Sequence, residues 1–357
     1  MEIDVQIRNH VMFVTLNRPA VLNALSLGMV RDLDRTVRAS AADPGVRALV
    51  LRGAGEKAFC AGGDIRALYE SHRGGGESYL EFFIIEYGLD HRLHRYPKPF
   101  VAVIDGITMG GGMGLSQGAP LRLAGERTRI AMPEVGIGLI PDVGGSYFLS
   151  RLPGALGAYL ALTGSEIRAS DAVYAGLADF FLPRAAALRL ETAMTGIAWS
   201  GDWMRDVHDA VRALAAPPPA PPPLESLRPP IDRHFSQADV PAILASLRSE
   251  THPEWQPWAQ KTAELLGRRS PTMLKVTLRQ LQAGKHMSLA DCFRMELGLV
   301  RGCFAQGDIL EGVRALIIDK DNRPQWRPQR IEEVSESMVD AFFHDSWPGG
   351  RHPLADL

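Results

Sequence analysis

Four glycines in five positions, Gly110-Gly111-Gly112-Met113-Gly114, stand between the apolar run Phe100 to Ile104 and a stretch from Met113 to Gly118 that reads as helical. A glycine inside a helix costs up to about 1 kcal/mol relative to alanine, so the cluster needs a reason beyond turning the chain. Close approach of the backbone to a ligand is such a reason. The surrounding segment, Asp105 to Gly145, also carries Met132-Pro133-Glu134, Pro141-Asp142 and Gly144-Gly145. Bare backbone amides beside two carboxylates are the parts of an acyl-transfer site.

A second cluster, Cys60-Ala61-Gly62-Gly63-Asp64, precedes the helical stretch Ile65 to Glu70. Small residues at a helix start leave amides that an anion or a carbonyl oxygen can approach. A purely structural turn with Asp64 near the helix start has the same pattern. One amide from each cluster could form an oxyanion hole, in which a single donor contributes roughly 3 kcal/mol of transition-state stabilisation. A nucleotide P-loop is excluded because Leu115 and Ser116 follow Gly114 where Lys and Ser or Thr are needed, and the glycine spacing is not that of a dinucleotide fingerprint.

Glu134 lies among Ala131, Met132, Val135 and Ile137, neighbours that raise a carboxylic acid's pKa if it is buried. Asp142 precedes Val143-Gly144-Gly145. Two readings stand side by side. Glu134 is a solvated turn residue and Asp142 caps a helix beginning near Gly144, or the two converge on one pocket. The histidines do not support a serine-hydrolase reading of Ser116. His91 and His94, three apart on a predicted helix, have no acidic or cysteine companions at ligand spacing, which favours a surface or interface role and no metal.

Alternating Ile3, Val5 and Ile7 predict a half-buried strand, and Asn9-His10 makes Ile3 to Leu16 a hairpin. Ser26 caps a helix carrying Val30, Leu33 and Val37, and Ala48 to Arg52 is a strand, so a crossover unit follows the hairpin. Tyr79 to Leu93, Gly144 to Leu152 and Ala155 to Thr163 read as helices, and Phe100 to Ile104 and Arg129 to Met132 as strands. The first 185 residues therefore read as α/β. Ala213 to Pro230, rich in proline, predicts an extended spacer or surface loop free of helix and sheet. Beyond it Val240 to Arg248, Trp255 to Leu266, Thr272 to Ala283 and Leu289 to Cys303 predict a helical tail.

Lys plus Arg number 39 against 41 Asp plus Glu, a formal charge of −2 that offers no excess for nucleic acid. The 3 cysteines, Cys60, Cys292 and Cys303, lack the pairing of a disulfide framework. No apolar run approaches the roughly 20 residues of a membrane span, and nothing before Ile3 resembles a signal or transit peptide, so the expectation is a cytoplasmic protein with no membrane partner.

Taken together, Asn17-Arg18-Pro19, Asn23-Ala24-Leu25, Ala58 to Asp64, the glycine cluster and Asp308 to Val313 resemble the crotonase, or enoyl-CoA hydratase/isomerase, superfamily. The resemblance implies a spiral of ββα units at 1–200, a Pro-rich linker and helical insert at 201–268, and a C-terminal helical subdomain at 269–357. Within the superfamily, Gly106 to Gly112, Ala131 to Glu134 through Gly145, Leu162 to Gly164, Thr277 to Leu281 and Glu311 to Asp321 resemble the branch that hydrolyses 3-hydroxyisobutyryl-CoA in valine breakdown. 3-Hydroxypropionyl-CoA is a possible second substrate.

By position, the resemblance implies an oxyanion hole from the Gly63 and Gly111 amides. Glu134 matches the catalytic glutamate as base or nucleophile, Asp142 its partner, and Glu86 a substrate-contacting glutamate. The loop of Ala61, Gly62, Asp64, Ile65 and Arg66 would lie against the CoA. Gly114 occupies the position of a hydratase's other glutamate, which favours hydrolysis. Hydration or isomerisation of an enoyl-CoA, and acyl-CoA binding without turnover, are the alternatives. No cofactor beyond the substrate's CoA is implied, and the superfamily's trimers suggest a homo-oligomer.

Overall fold

Asn9 and His10 both take positive φ, 44° and 65°, the backbone of a tight hairpin turn. They join β1 (Ile3–Arg8) to β2 (Val11–Leu16) in antiparallel register from Ile3 opposite Leu16 to Arg8 opposite Val11. β1 is the edge strand, so Val5 and Ile7 are exposed and only Ile3 on it is buried, a thinner burial than its alternation predicts. The computed structural model describes residues 1–344 and 347–357. The chain divides into two units, one made of 1–64, 85–130 and 167–225, the other of 65–84, 131–166 and 226–357.

In the first unit, β2 continues in parallel into β3 (Ala48–Gly53), after the helix Leu27–Ala42 that Ser26 caps by accepting the Met29 amide. β4 is Ala58–Cys60, β5 Phe100–Ile104, β6 Ile107–Met109, β7 Leu121–Gly125, β8 Arg129–Ala131 and β9 Phe180–Leu182. The main sheet runs β1-β2-β3-β5-β7-β9, parallel from β2 onward. Buried on both faces, its parallel strands read as continuous apolar runs. Register aligns Phe13, Val50, Val101 and Leu121 in one row. The helices Arg184–Thr195 and Trp203–Arg212 add Leu190, Met194, Val207 and Val211 to the core that this row belongs to. A smaller sheet, β4-β6-β8, carries the strands that lead into the glycine segments.

The second unit is largely helical. Ser270 and Ser288 start the helices Pro271–Gly284 and Leu289–Gln306 by accepting the amides of Met273 and Asp291, and Asp239 does the same for Val240–Arg248. Cys292, Phe293, Leu297, Val300 and Cys303 form the buried stripe of Leu289–Gln306.

Three sequence expectations are corrected. The Pro-rich stretch is not free of helix: Pro223–Phe235 is helical with Pro229 and Pro230 inside it. Each internal proline removes an amide donor and costs on the order of 3 kcal/mol, opposed here by burial of Leu224, Ile231 and Phe235 and by the Arg228–Asp232 ion pair. The helix expected over Gly144 to Leu152 is one turn, Gly145–Phe148, followed by the 3-10 turn Leu149–Arg151. The helix expected from Met113 starts at Gly111, two residues early, so the glycines of the Gly110 to Gly114 cluster are its first turn and not a loop before it. Among the described residues no helix is long and apolar enough to cross a membrane.

Candidate active site

Each unit holds part of the predicted constellation. In the first, Leu25 forms a bridge beside Gly63, its amide donating to Gly62 O (2.8 Å) and its carbonyl accepting from Asp64 (2.9 Å). The Gly63 amide donates to no acceptor among the described residues. In the Gly111–Gln117 helix, Met113 and Gly114 donate to Gly110 O at 2.7 and 3.2 Å, which leaves the Gly111 amide among the unpaired donors of a helix start.

The two glycine segments touch. A Cβ on Gly62, whose φ is +98°, would lie 3.2 Å from Met109 O and 3.5 Å from Gly111 N. A Cβ on Gly112 would collide with the Cys60 carbonyl, and one on Gly111 with the Glu86 carboxylate. The cost of glycine in this helix is thus offset by an approach of backbones that any side chain would block.

Glu86 lies on the helix Ser78–His94, buried, one turn before the buried Asp90. Burial first, and then the charges of Glu86 and Asp90, push the Cys60 thiol up to about 12, so Cys60 is not a nucleophile at neutral pH. Asp64 is held by Arg18 at 3.1 Å, and Arg66, exposed on the helix Ile65–Arg73, donates to Ile317 O at 3.0 Å. Ser116 is buried and its hydroxyl donates to Met113 O, with no base engaged. His94 is pushed down to about 4 by burial, helped by His91 and Arg122. Among the described residues no group of three or more His, Cys, Asp or Glu could hold a metal ion.

In the second unit, Glu134 opens the 3-10 turn Glu134–Ile137 and is 5% exposed, not a solvated turn residue. Its Oε2 is buried without a hydrogen-bond partner among the described residues. Burial above all, and then the negative charge of Asp142, raise its pKa well above the usual carboxylate range. The turn is locked from behind. A Cβ on Gly138 would collide with the Asp308 carbonyl, and one on Gly312 with the Ile137 carbonyl, so the helix Asp308–Val313 lies backbone against backbone on it.

Asp142, also buried, is not the cap residue of the next helix: Gly144 holds that position and has no side-chain oxygen to offer the first turn. The turn that carries Asp142 continues through Val143 at φ +54° and Gly144 at φ +85°. A β-branched residue there costs on the order of 1–3 kcal/mol. Two residues absent from the sequence-based site hold this turn. Glu296 Oε2 accepts the Gly144 amide and Oε1 the Ser146 amide, both at 2.8 Å. Gln280 donates from Nε2 to Pro141 O (2.6 Å) and to the Ser146 hydroxyl (2.8 Å). The available signal was positional: Glu296 falls on the apolar stripe of its helix, between Cys292–Phe293 and Val300.

The sequence pattern of the enoyl-CoA hydratase/isomerase family matches residues 11–343. The chain belongs to that family. It is 42% identical over 332 residues to a mitochondrial 3-hydroxyisobutyryl-CoA hydrolase of Xenopus tropicalis, covering 92% of this chain and 85% of that protein. A probable 3-hydroxyisobutyryl-CoA hydrolase of Arabidopsis thaliana is 37% identical, with 95% and 90% covered. Among solved structures, a carnitinyl-CoA dehydratase from Mycobacterium thermoresistibile superposes with a TM-score of 0.89 at 38% identity, covering 97% of each chain. An enoyl-CoA hydratase from Rhodobacter sphaeroides superposes at 0.85 with 36% identity over 96% of this chain and 97% of that one. The fold is crotonase-like, as the sequence motifs imply.

Proposed function

We propose that this chain hydrolyses the thioester of a short 3-hydroxyacyl-CoA, 3-hydroxyisobutyryl-CoA first, releasing 3-hydroxyisobutyrate and free CoA. The substrate follows from the hydrolases that the chain resembles over nine-tenths of its length. The observation that carries the chemistry is the buried Glu134 carboxylate with one oxygen left without a partner.

In this reading the Gly63 and Gly111 amides polarise the thioester carbonyl and hold the oxyanion that forms there. Glu134 takes a proton from water as the water oxygen attacks the carbonyl carbon, or attacks that carbon itself to give a transient anhydride that water opens. The C–S bond breaks, and the departing thiolate takes up a proton to leave as CoA thiol. Asp142 holds the 3-hydroxyl or the attacking water and, by its charge, keeps Glu134 basic. Glu86 contacts the acyl group from beside Gly111, and the loop of Ala61, Gly62, Asp64, Ile65 and Arg66 takes the CoA. The chemistry uses no other cofactor.

Hydration of an enoyl-CoA is the second reading, favoured by the dehydratase and hydratase names of the similar structures. Gly114 in place of a second glutamate speaks against it. Thiol release from 3-hydroxyisobutyryl-CoA, set beside loss of the conjugated absorbance of crotonyl-CoA, separates the two. As to assembly, the helices Pro271–Gly284 and Leu289–Gln306 turn their apolar faces into their own unit and onto the Pro141–Ser146 turn. This supports a folding back over the chain's own turn in preference to a trimer built on these helices. Light scattering after size exclusion tests it.

A further inference from the structure

Glu296 plays no part in the chemistry above, yet it is fully buried on the helix Leu289–Gln306, some 150 residues along the chain from the turn it binds. Its two oxygens accept two backbone amides, Gly144 and Ser146, on either side of Gly145. Gln280 ties the same turn from the adjoining helix, through the carbonyl of Pro141 and the hydroxyl of Ser146. Asp142 is therefore bracketed: the residue before it is held by Gln280, and the residue two after it by Glu296. Between the tethers, Val143 sits at φ +54°, a conformation that a β-branched residue keeps only where its surroundings impose it. A carboxylate fixed to one face of a turn loses its aim when that turn relaxes.

We propose that Glu296 is a positioning residue. Its buried carboxylate holds the Pro141–Ser146 turn in the left-handed conformation that aims Asp142, and Gln280 is the second tether. The proposal rests on the reading of Asp142 as a participant in thioester hydrolysis. Glu296 acts only through that turn and touches no substrate.

The test is a double-mutant cycle on thiol release from 3-hydroxyisobutyryl-CoA, with Asp142→Asn, Glu296→Gln and the pair, and with amide hydrogen exchange read at Gly144 and Ser146. Glutamine keeps the size of the side chain but turns an NH2 group toward one of the two amides. Glu296→Gln should lower kcat about 10-fold with KM nearly unchanged and speed exchange at one or both amides. In the Asp142→Asn background the same change should cost less than about twofold, because the group being aimed is already gone. Gln280→Leu should follow the same pattern with a smaller loss, and it carries the cycle if the Glu296 variant does not fold.

Full kcat in Glu296→Gln despite faster exchange overturns the positioning role. So does an undiminished loss in the Asp142→Asn background, which would mean that Glu296 acts by another route. Wild-type turnover in Asp142→Asn alone sinks instead the functional reading of Asp142, and is told apart by that single variant.

Discussion

Two short turns of the second unit, Glu134–Gly138 and Pro141–Ser146, each present a buried carboxylate, but they are held by opposite means. The first is held by shape, with Gly138 and Gly312 letting the helix Asp308–Val313 press its backbone against the turn. The second is held by side-chain hydrogen bonds from Glu296 and Gln280, across a strained Val143. The two buried glutamates differ in the same way. Glu134 keeps one oxygen without a partner, whereas both oxygens of Glu296 are bound to amides. A buried carboxylate whose acceptors are all used is a tether, and one with an acceptor to spare is available for chemistry.

The sharpest way to break this contrast is to neutralise each glutamate in turn. Glu134→Gln should lower CoA release about 100-fold or more, on the order of 3 kcal/mol, while leaving the thermal midpoint unchanged or higher, since it removes a poorly solvated acid. Glu296→Gln should lower the midpoint as well as the rate. Loss of stability without loss of rate in the Glu134 variant would reverse the assignment.

Next in size is the shape lock. Gly312→Ala puts a methyl group into the Ile137 backbone and should destabilise the fold by about 1–3 kcal/mol in a urea titration, with a fall in kcat. A variant of unchanged stability would show that the Glu134 turn yields easily.

The pH dependence separates the pair further. Glu134 must be ionised to act as base or nucleophile, and its pKa is raised, so kcat/KM should climb with pH to a midpoint above the usual carboxylate range. Part of that rise comes from the Asp142 charge, so Asp142→Asn should move the midpoint down even as it lowers the plateau. Glu296 is pushed up to about 8, by burial first and by Asp142 in smaller part, against the pull of the Ser146 and Gly144 donors. An acid that holds its proton more tightly folded than unfolded stabilises the fold fully at low pH, and that stability is lost as pH rises toward its folded pKa. Urea midpoints of the wild type should therefore fall between about pH 5 and pH 8, and more shallowly in Glu296→Gln.

The contrast also explains what the sequence discloses. Local signals carried the hairpin at Asn9-His10, the Ser26 cap, the strand Phe100–Ile104 and the helix Val240–Arg248, because periodicity and capping act within a few residues. β4 and β6 escaped, since three-residue strands owe their form to each other and not to any local run. The Pro-rich helix escaped because burial overrides the propensity of Pro229 and Pro230. Glu134 and the glycine segments were legible as bare amides and a carboxylate in apolar company. Glu296 and Gln280 were not, because a tether that reaches across some 140 to 150 residues leaves only a polar residue on an apolar helix face.

The central claim, that the chain cleaves a thioester and does not hydrate a double bond, is tested most directly by giving the purified protein 3-hydroxyisobutyryl-CoA and crotonyl-CoA in parallel. One free thiol per 3-hydroxyisobutyryl-CoA consumed, with the crotonyl-CoA absorbance steady, is the expected result. Loss of the crotonyl-CoA absorbance with no thiol released from the hydroxyacyl thioester would contradict it.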